Sequence, residues 1–313
     1  LALTVRRGVP ELLVSSSLQG LALQLPAPLN KPAEASWPLR FEKQLTPEAA
    51  ANSQAPLQER LSLSLGPVLQ AQYLRALGAA EPQVLRGSIA LGQDSDELPP
   101  LPSAGVGARV HLDALDIDAW QRLLQGEAGA ATADSAMTDY LPTRLALQAE
   151  QLQLQGRSLH ALVAGITRDG PIWQASLQAR ELAGHVQYRQ ASASEPAGRL
   201  QARLARLVLG PSQAANVERL LDAQPAQLPA LDIDVQNFEL NGRALGRLQV
   251  QAQNRGGSAQ HPREWRLSQF NLSTPEADFS ASGNWAQLAT HTPGAAAAPE
   301  RRTALTLRLE LRD

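Results

Sequence analysis

The chain has 313 residues, no cysteine, 4% aromatic residues and a formal net charge of -2, so it can bury a large core but has no disulfide, thiolate or Cys-ligated metal chemistry. Apart from Arg6-Arg7 and Arg301-Arg302 the basic residues are spread singly, which argues against a nucleic-acid partner, because a phosphate binder concentrates Lys and Arg on one face. No run of 18 apolar residues exists to span a membrane, no signal peptide is visible, and a start at Leu1 rather than Met reads as a segment excised from a longer protein.

In chain order, a linker rich in Pro and Ala over residues 26–38 precedes the first clear strand, Leu61-Leu63-Leu65. Residues 92–105, with Asp94-Ser95-Asp96-Glu97 and then Leu98-Pro99-Pro100, read as a surface loop. A short helix is predicted from Asp118 to Gln125, with Asp118 as its N-cap and Gly126 past its end. A loop of Gly, Ala, Asp, Ser and Thr over 126–139 leads to the strands Leu145-Leu147-Ala149 and Leu152-Leu154. A second short helix, opened by Ser212, is predicted over Gln213–Ala223, followed by Leu231-Ile233-Val235 and Phe238-Leu240. After an Ala-rich loop at 291–300, Leu305, Leu307, Leu309 and Leu311 alternate with Thr306, Arg308, Glu310 and Arg312.

Alternation of this kind marks a strand with one buried and one wet face. Parallel strands covered on both sides would read as continuous apolar runs, so the sheet is expected to be antiparallel. The main internal signal is a repeat. Leu145, Leu147, Leu152, Leu154, Gly156, Arg157, Leu159 and Leu162 recur 86 residues later as Leu231, Ile233, Phe238, Leu240, Gly242, Arg243, Leu245 and Leu248. Both copies place Gly-Arg in a turn, and both switch apolar parity midway, which a bulge or tight turn would produce. The predicted organisation is a first β unit over 1–105, a second of strand, helix and meander over 106–203, and a third repeating it over 204–313. The fold class is mainly β: an elongated, twisted antiparallel sheet forming an open groove from tandem repeats, with two short helices.

Catalytic chemistry finds little purchase. His111, His160, His185, His261 and His291 do not stand at ligand spacing. Asp113, Asp116 and Asp118 gather where a strand enters a helix, a place that attracts carboxylates without a metal. Asp94-Ser95-Asp96-Glu97 lacks the Gly and distal Glu of a calcium loop. No nucleophile elbow, phosphate loop or dinucleotide fingerprint occurs. The chain is read as a non-enzyme without metal or cofactor.

The stretch from Gly20-Leu21 to Leu25-Pro26-Ala27-Pro28-Leu29-Asn30-Lys31 resembles a signature of the AsmA-like proteins, in particular their YhdP branch. Leu115-Asp116-Ile117-Asp118-Ala119-Trp120, Arg168-Asp169-Gly170-Pro171-Ile172-Trp173, Leu228-Pro229-Ala230-Leu231-Asp232-Ile233 and Phe279-Ser280-Ala281-Ser282-Gly283-Asn284-Trp285 are similar to later family stretches, in the same order. The resemblance implies an internal periplasmic segment of a large Gram-negative envelope protein, anchored to the inner membrane by a part not present here. It implies a bridge-like conduit for phospholipid, partnered by acyl chains and by neighbouring segments of the same long chain, touching membrane only through parts outside this segment. The expected groove lining is Leu145, Leu147, Leu152, Leu154, Leu231, Ile233, Phe238, Leu240, Leu248 and Val250. The same alternation also serves a structural β protein with a packed core, or a scaffold that binds a partner along a strand edge.

Overall fold

The structure is a computed structural model and describes residues 1–78, 81–93, 98–127, 139–192, 195, 197–210, 228–255, 264–287 and 301–312. The fold is mainly β: 17 strands form one large mixed sheet, and a further two-stranded ribbon stands apart. Two compact units divide the chain, Leu1–Arg168 and Asp169–Asp313.

The first unit runs β1 (Ala2–Arg6), β2 (Val9–Ser16), β3 (Leu23–Gln24), β4 (Asn30–Lys31), β5 (Leu39–Leu45), α1 (Pro47–Ala51), β6 (Gln58–Leu65), β7 (Leu69–Ala76), β8 (Gln83–Gly92), β9 (Gly105–Asp116), α2 (Ile117–Glu127), β10 (Arg144–Leu154) and β11 (Arg157–Asp169). Strands β1, β2 and β5 to β11 pair in that order, and β3 pairs with β4. The second unit runs β12 (Ile172–Gln178), β13 (Leu182–Arg189), β14 (Arg199–Leu209), β15 (Ala230–Leu240), β16 (Arg243–Arg255), β17 (Glu264–Ser273), β18 (Ala277–Gln287) and β19 (Arg301–Leu311), each paired with the next.

Most pairs are antiparallel, as the alternation predicts, but β8–β9, β9–β10 and β14–β15 are parallel. The reason lies in the connections. Two-residue turns, as at 155–156 and 241–242, can join only antiparallel neighbours, whereas each parallel pair follows a connection of a dozen residues or more, after Gly92, Asp116 and Leu209. Alternation reports how many faces of a strand are wet, not strand direction, so it could not separate the two cases.

The repeat is visible in the backbone. Strands β10 and β11 begin and end 86 residues before β15 and β16. Each hairpin turns through two residues of positive φ, Gln155 and Gly156 at 53° and 70°, then Asn241 and Gly242 at 52° and 76°. Positive φ at both central positions is the turn whose twist matches that of the strands. The parity switch between Val235 and Phe238 coincides with a register shift, and Gly246 sits beside it at φ 79°. In β10 the switch between Ala149 and Leu152 lies where Glu150 and Ala161 are skipped in the pairing, with Ala161 at φ 51°.

Helix α2 begins at Ile117, one residue earlier than predicted, and its cap is Asp116, whose Oδ1 accepts from Ala119 N at 2.8 Å. Asp118, the predicted cap, instead holds the β10–β11 turn: its carboxylate accepts from Gln155 N at 2.6 Å and Gly156 N at 2.7 Å. Asp113 accepts from Gln93 Nε2 at 2.7 Å, so the three carboxylates have three separate tasks. Helix α1 was not predicted. Thr46 caps it, accepting from Ala49 N at 3.3 Å, and Pro47 opens it. The predicted helix Gln213–Ala223, Asp94-Ser95-Asp96-Glu97 and the loop 291–300 lie outside the described residues.

The Pro-rich stretch 26–38 is not a plain surface linker. Lys31 is 1% exposed and its Nζ donates to Leu18 O and Leu21 O, both at 2.7 Å, and to Pro32 O at 3.1 Å. Three carbonyls replace the three waters a lysine would otherwise hold. The loop is also tied to α2, because Trp120 Nε1 donates to Ala27 O at 3.1 Å.

Candidate functional site

Residues directly opposite one another in a ladder point to the same face. In the second unit the registers align three rungs across eight strands, β12 to β19. They are Trp173–Tyr188–Leu200–Leu231–Ala252–Leu267–Gly283–Leu305, Ala175–Val186–Ala202–Ile233–Val250–Phe270–Ala281–Leu307, and Leu177–Gly184–Leu204–Val235–Leu248–Leu272–Phe279–Leu309. No charged residue and no Asn, Gln or Ser interrupts them. The rung on the reverse face between the last two is Ser176–His185–Arg203–Asp234–Gln249–Asn271–Ser280–Arg308, wholly polar.

The buried cluster of this unit is Ala202, Leu204, Val235, Phe238 and Leu248, with Val186, Ile233, Leu240, Val250 and Phe270 among those packed against it. All of these come from β13 to β17 of the same sheet. The cluster is therefore built from side chains of neighbouring strands along one face of the sheet. Toward β19 the cover thins: Leu305, Leu307 and Leu309 are 57%, 58% and 62% exposed.

The first unit repeats the arrangement less completely. Val14–Phe41–Leu63–Ala71–Ile89–Ala108–Leu145–Ile166 form one apolar rung from β2 to β11. Beside it Leu39–Leu65–Leu69–Leu91–Val110–Leu147–Ala164 run from β5 to β11. The reverse rung Glu42–Ser62–Gln72–Ser88–Gly107–Arg144–Thr167 carries no large apolar side chain.

The predicted residues fall into this frame. Leu145 and Leu147 belong to the two rungs of the first unit, and Leu152 stands between Leu115 and Leu159 on the same face. Leu154 ends that hairpin opposite Arg157 and is 38% exposed. Leu231, Ile233, Leu248 and Val250 belong to the three rungs of the second unit. The register shift after Val235 returns Phe238 and Leu240 to that face, where both join the cluster. Leu147, Leu152, Phe238 and Leu248 are buried, and the other five predicted residues are half-buried.

What the sequence reading missed is a charged group on the apolar side of the first unit. Glu59 stands opposite Leu45 and Arg75, and Lys43 stands opposite Leu12 and Leu61. Glu59 is fully buried; its Oε1 pairs with Arg75 Nη2, and its Oε2 lies 3.5 Å from Lys43 Nζ. Arg75 Nη1 donates to Tyr140 Oη at 2.6 Å, and Tyr73 Oη donates to Tyr140 O at 3.2 Å. The Tyr73 and Tyr140 rings meet edge to face at 5.2 Å, and burial pushes the Tyr73 hydroxyl pKa up. The signal was present: Lys43 shares parity with Phe41 and Leu45, and Glu59 with Leu61 and Leu63.

On the polar side of the second unit the charges are paired and wet. Arg203 Nη2 lies 2.8 Å from Asp232 Oδ2, and Arg247 Nη2 lies 2.6 Å from Asp234 Oδ2. Hydrogen bonds from Arg247 and Gln249 hold the Asp234 carboxyl below the usual range. Among the described residues no group of three His, Cys, Asp or Glu is placed to hold a metal ion, and no helix is long and apolar enough to cross a membrane.

Within each unit, then, the strands place apolar rungs on one face of the sheet and a polar rung on the reverse, which is the pattern of a protein with an extended aliphatic face. The chain belongs to the YhdP family: the family model described as YhdP protein matches residues 4–293. Membership places it among AsmA-like lipid-transport proteins, a group not known for enzymes. No curated protein and no solved structure matches the chain.

Proposed function

We propose that this chain is a periplasmic segment of a bridge-like conduit that carries phospholipids between the inner and outer membranes, with the apolar rungs as the track for acyl chains. The observation that carries the reading is the continuity of the rungs. Eight strands at about 4.8 Å spacing give roughly 34 Å of unbroken apolar residues along each rung of the second unit.

The energetics suit a track. Each methylene removed from water contributes about 0.8 kcal/mol. Leu, Val, Ala and Ile supply that along the whole path, so no single point holds the lipid tightly and sliding stays possible. Leu145, Leu147, Leu152, Leu154, Leu231, Ile233, Phe238, Leu240, Leu248 and Val250 are the proposed lining. Neighbouring segments of the same long chain extend the track at either side. An anchor outside this segment tethers the protein to the inner membrane, and contact with membrane belongs to those outer parts.

The competing reading, a structural β protein with a packed core, requires a second layer over the same face. Native mass spectrometry of the chain after mild extraction separates the two. Co-purifying phospholipid is the expected result. A lipid-free chain that also refuses added phospholipid would overturn the conduit reading.

A further inference from the structure

The charged group on the apolar face has no place in a track that only slides tails. Lys43 and Arg75 bring two positive charges to one negative charge, that of Glu59, leaving an excess of one positive charge. Glu59 is fully buried and its Oε2 makes no hydrogen bond, because Lys43 stands at 3.5 Å, beyond hydrogen-bond length. Arg75 Nε is also buried without a hydrogen-bond partner. The Lys43 side chain keeps 26% of its surface exposed, the most of the three charged side chains in the group.

Position matters as much as charge. Lys43 is one rung from Val14–Phe41–Leu63–Ala71–Ile89, which is wholly apolar. On its other side Thr46 leads into α1, where Ala49 is fully buried. The aliphatic surface therefore ends at a cationic boundary. A molecule with a long apolar tail and an anionic end, laid on that rung, would bring its anion to Lys43.

We infer that Lys43, with Arg75 behind it, forms a subsite for the phosphate of a lipid headgroup, at the margin of the apolar face. This rests on the acyl-track reading above and adds a headgroup preference to it. In a partly desolvated site a phosphate oxygen would accept charge-assisted hydrogen bonds from Lys43, for which Glu59 at 3.5 Å is an imperfect substitute. Glu59 keeps Arg75 in place and offsets its largely buried charge when the site is empty.

The test loads the chain by detergent dialysis with phosphatidylglycerol or with diacylglycerol of the same acyl chains, and a third sample receives inorganic phosphate alone. Native mass spectrometry reads the retained ligand. The wild-type chain is expected to retain phosphatidylglycerol roughly tenfold over diacylglycerol, the scale of one charge-assisted hydrogen bond. Lys43→Met should bring that ratio near unity, and Lys43→Arg should preserve most of it. Thermal melting of both variants checks that they fold. Equal retention of the two lipids by the wild type, or an unchanged ratio in a folded Lys43→Met chain, would overturn the headgroup subsite while leaving the acyl track standing. Tight binding of inorganic phosphate, lost in Lys43→Met, without a lipid preference would also overturn it, in favour of a free-anion site. Retention of neither lipid would sink the conduit reading itself.

Discussion

Gln155 and Asn241 occupy the same place in two hairpins 86 residues apart, and both are held in the left-handed region, at φ 53° and 52°. Asn tolerates that region because its short amide bonds locally, whereas Gln bears the ordinary penalty of a side chain there. Gln155→Asn should therefore stabilise the first hairpin by about 0.5 kcal/mol, and Asn241→Gln should destabilise the second by a similar amount. Urea denaturation midpoints of the two variants check the sign.

Asp118 serves the same first hairpin through a different route. Its two oxygens accept from Gln155 N and Gly156 N, joining α2 to the turn. Asp118→Ala removes two charge-assisted bonds and should cost about 2 kcal/mol. Hydrogen exchange at Gln155 and Gly156 should accelerate with little change at Asn241 and Gly242.

Lys31 predicts a larger loss. With Met at position 31 the carbonyls of Leu18, Leu21 and Pro32 lose their shared donor in a buried place. The expected cost is about 3 kcal/mol. Limited proteolysis should then cut within residues 18–32 before any strand is cut.

Ile233 and Val235 share a face but differ in burial, and this separates the outcomes of placing a charge at each. Val235 is 0% exposed, so Val235→Asp should abolish folding, because an unpaired buried carboxylate costs several kcal/mol. Ile233 is half-buried, so Ile233→Asp should fold and lose retained phospholipid. Circular dichroism and native mass spectrometry on the two variants read these outcomes.

Acid should weaken the second unit. Asp234, bonded by Arg247 and Gln249, and Asp278, bonded by Ser273 and Arg312, both titrate below the usual carboxylate range. Their folded pKa values lie under the unfolded value of about 3.9, so the stability they lend is present above that value. It is lost as pH falls through the folded values, and near neutral pH it does not change. Both pairs are largely exposed, so the effect is small and salt-sensitive. Asp234→Asn should flatten the fall in melting temperature below about pH 4.

Much of the sheet was legible because one wet face forces strict alternation, as in Leu305 to Leu311. The 86-residue repeat was legible because each copy must place a turn and a parity switch at the same point. The parallel pairs were not, since Leu231-Ile233-Val235 alternates identically whichever way β14 runs. Helix α1 escaped because five residues carry no period. The burial of Lys31 depends on carbonyls of a folded loop, which leave no mark in residue types. The Lys43–Glu59–Arg75 group was readable as charges at apolar parity, yet strand-by-strand inspection treats each as a single exception. Only the register brings the three together.

The central claim is that acyl chains lie on the apolar face and not on the polar one. A photocrosslinking residue placed in turn at Leu231, Ile233 and Val250, and at Asp232, Asp234 and Gln249, tests it most directly, because these positions alternate between the two faces of β15 and β16. The account predicts phospholipid adducts at Leu231, Ile233 and Val250 and none at the other three. Equal labelling of both sets, or labelling of neither in a folded chain, would contradict it.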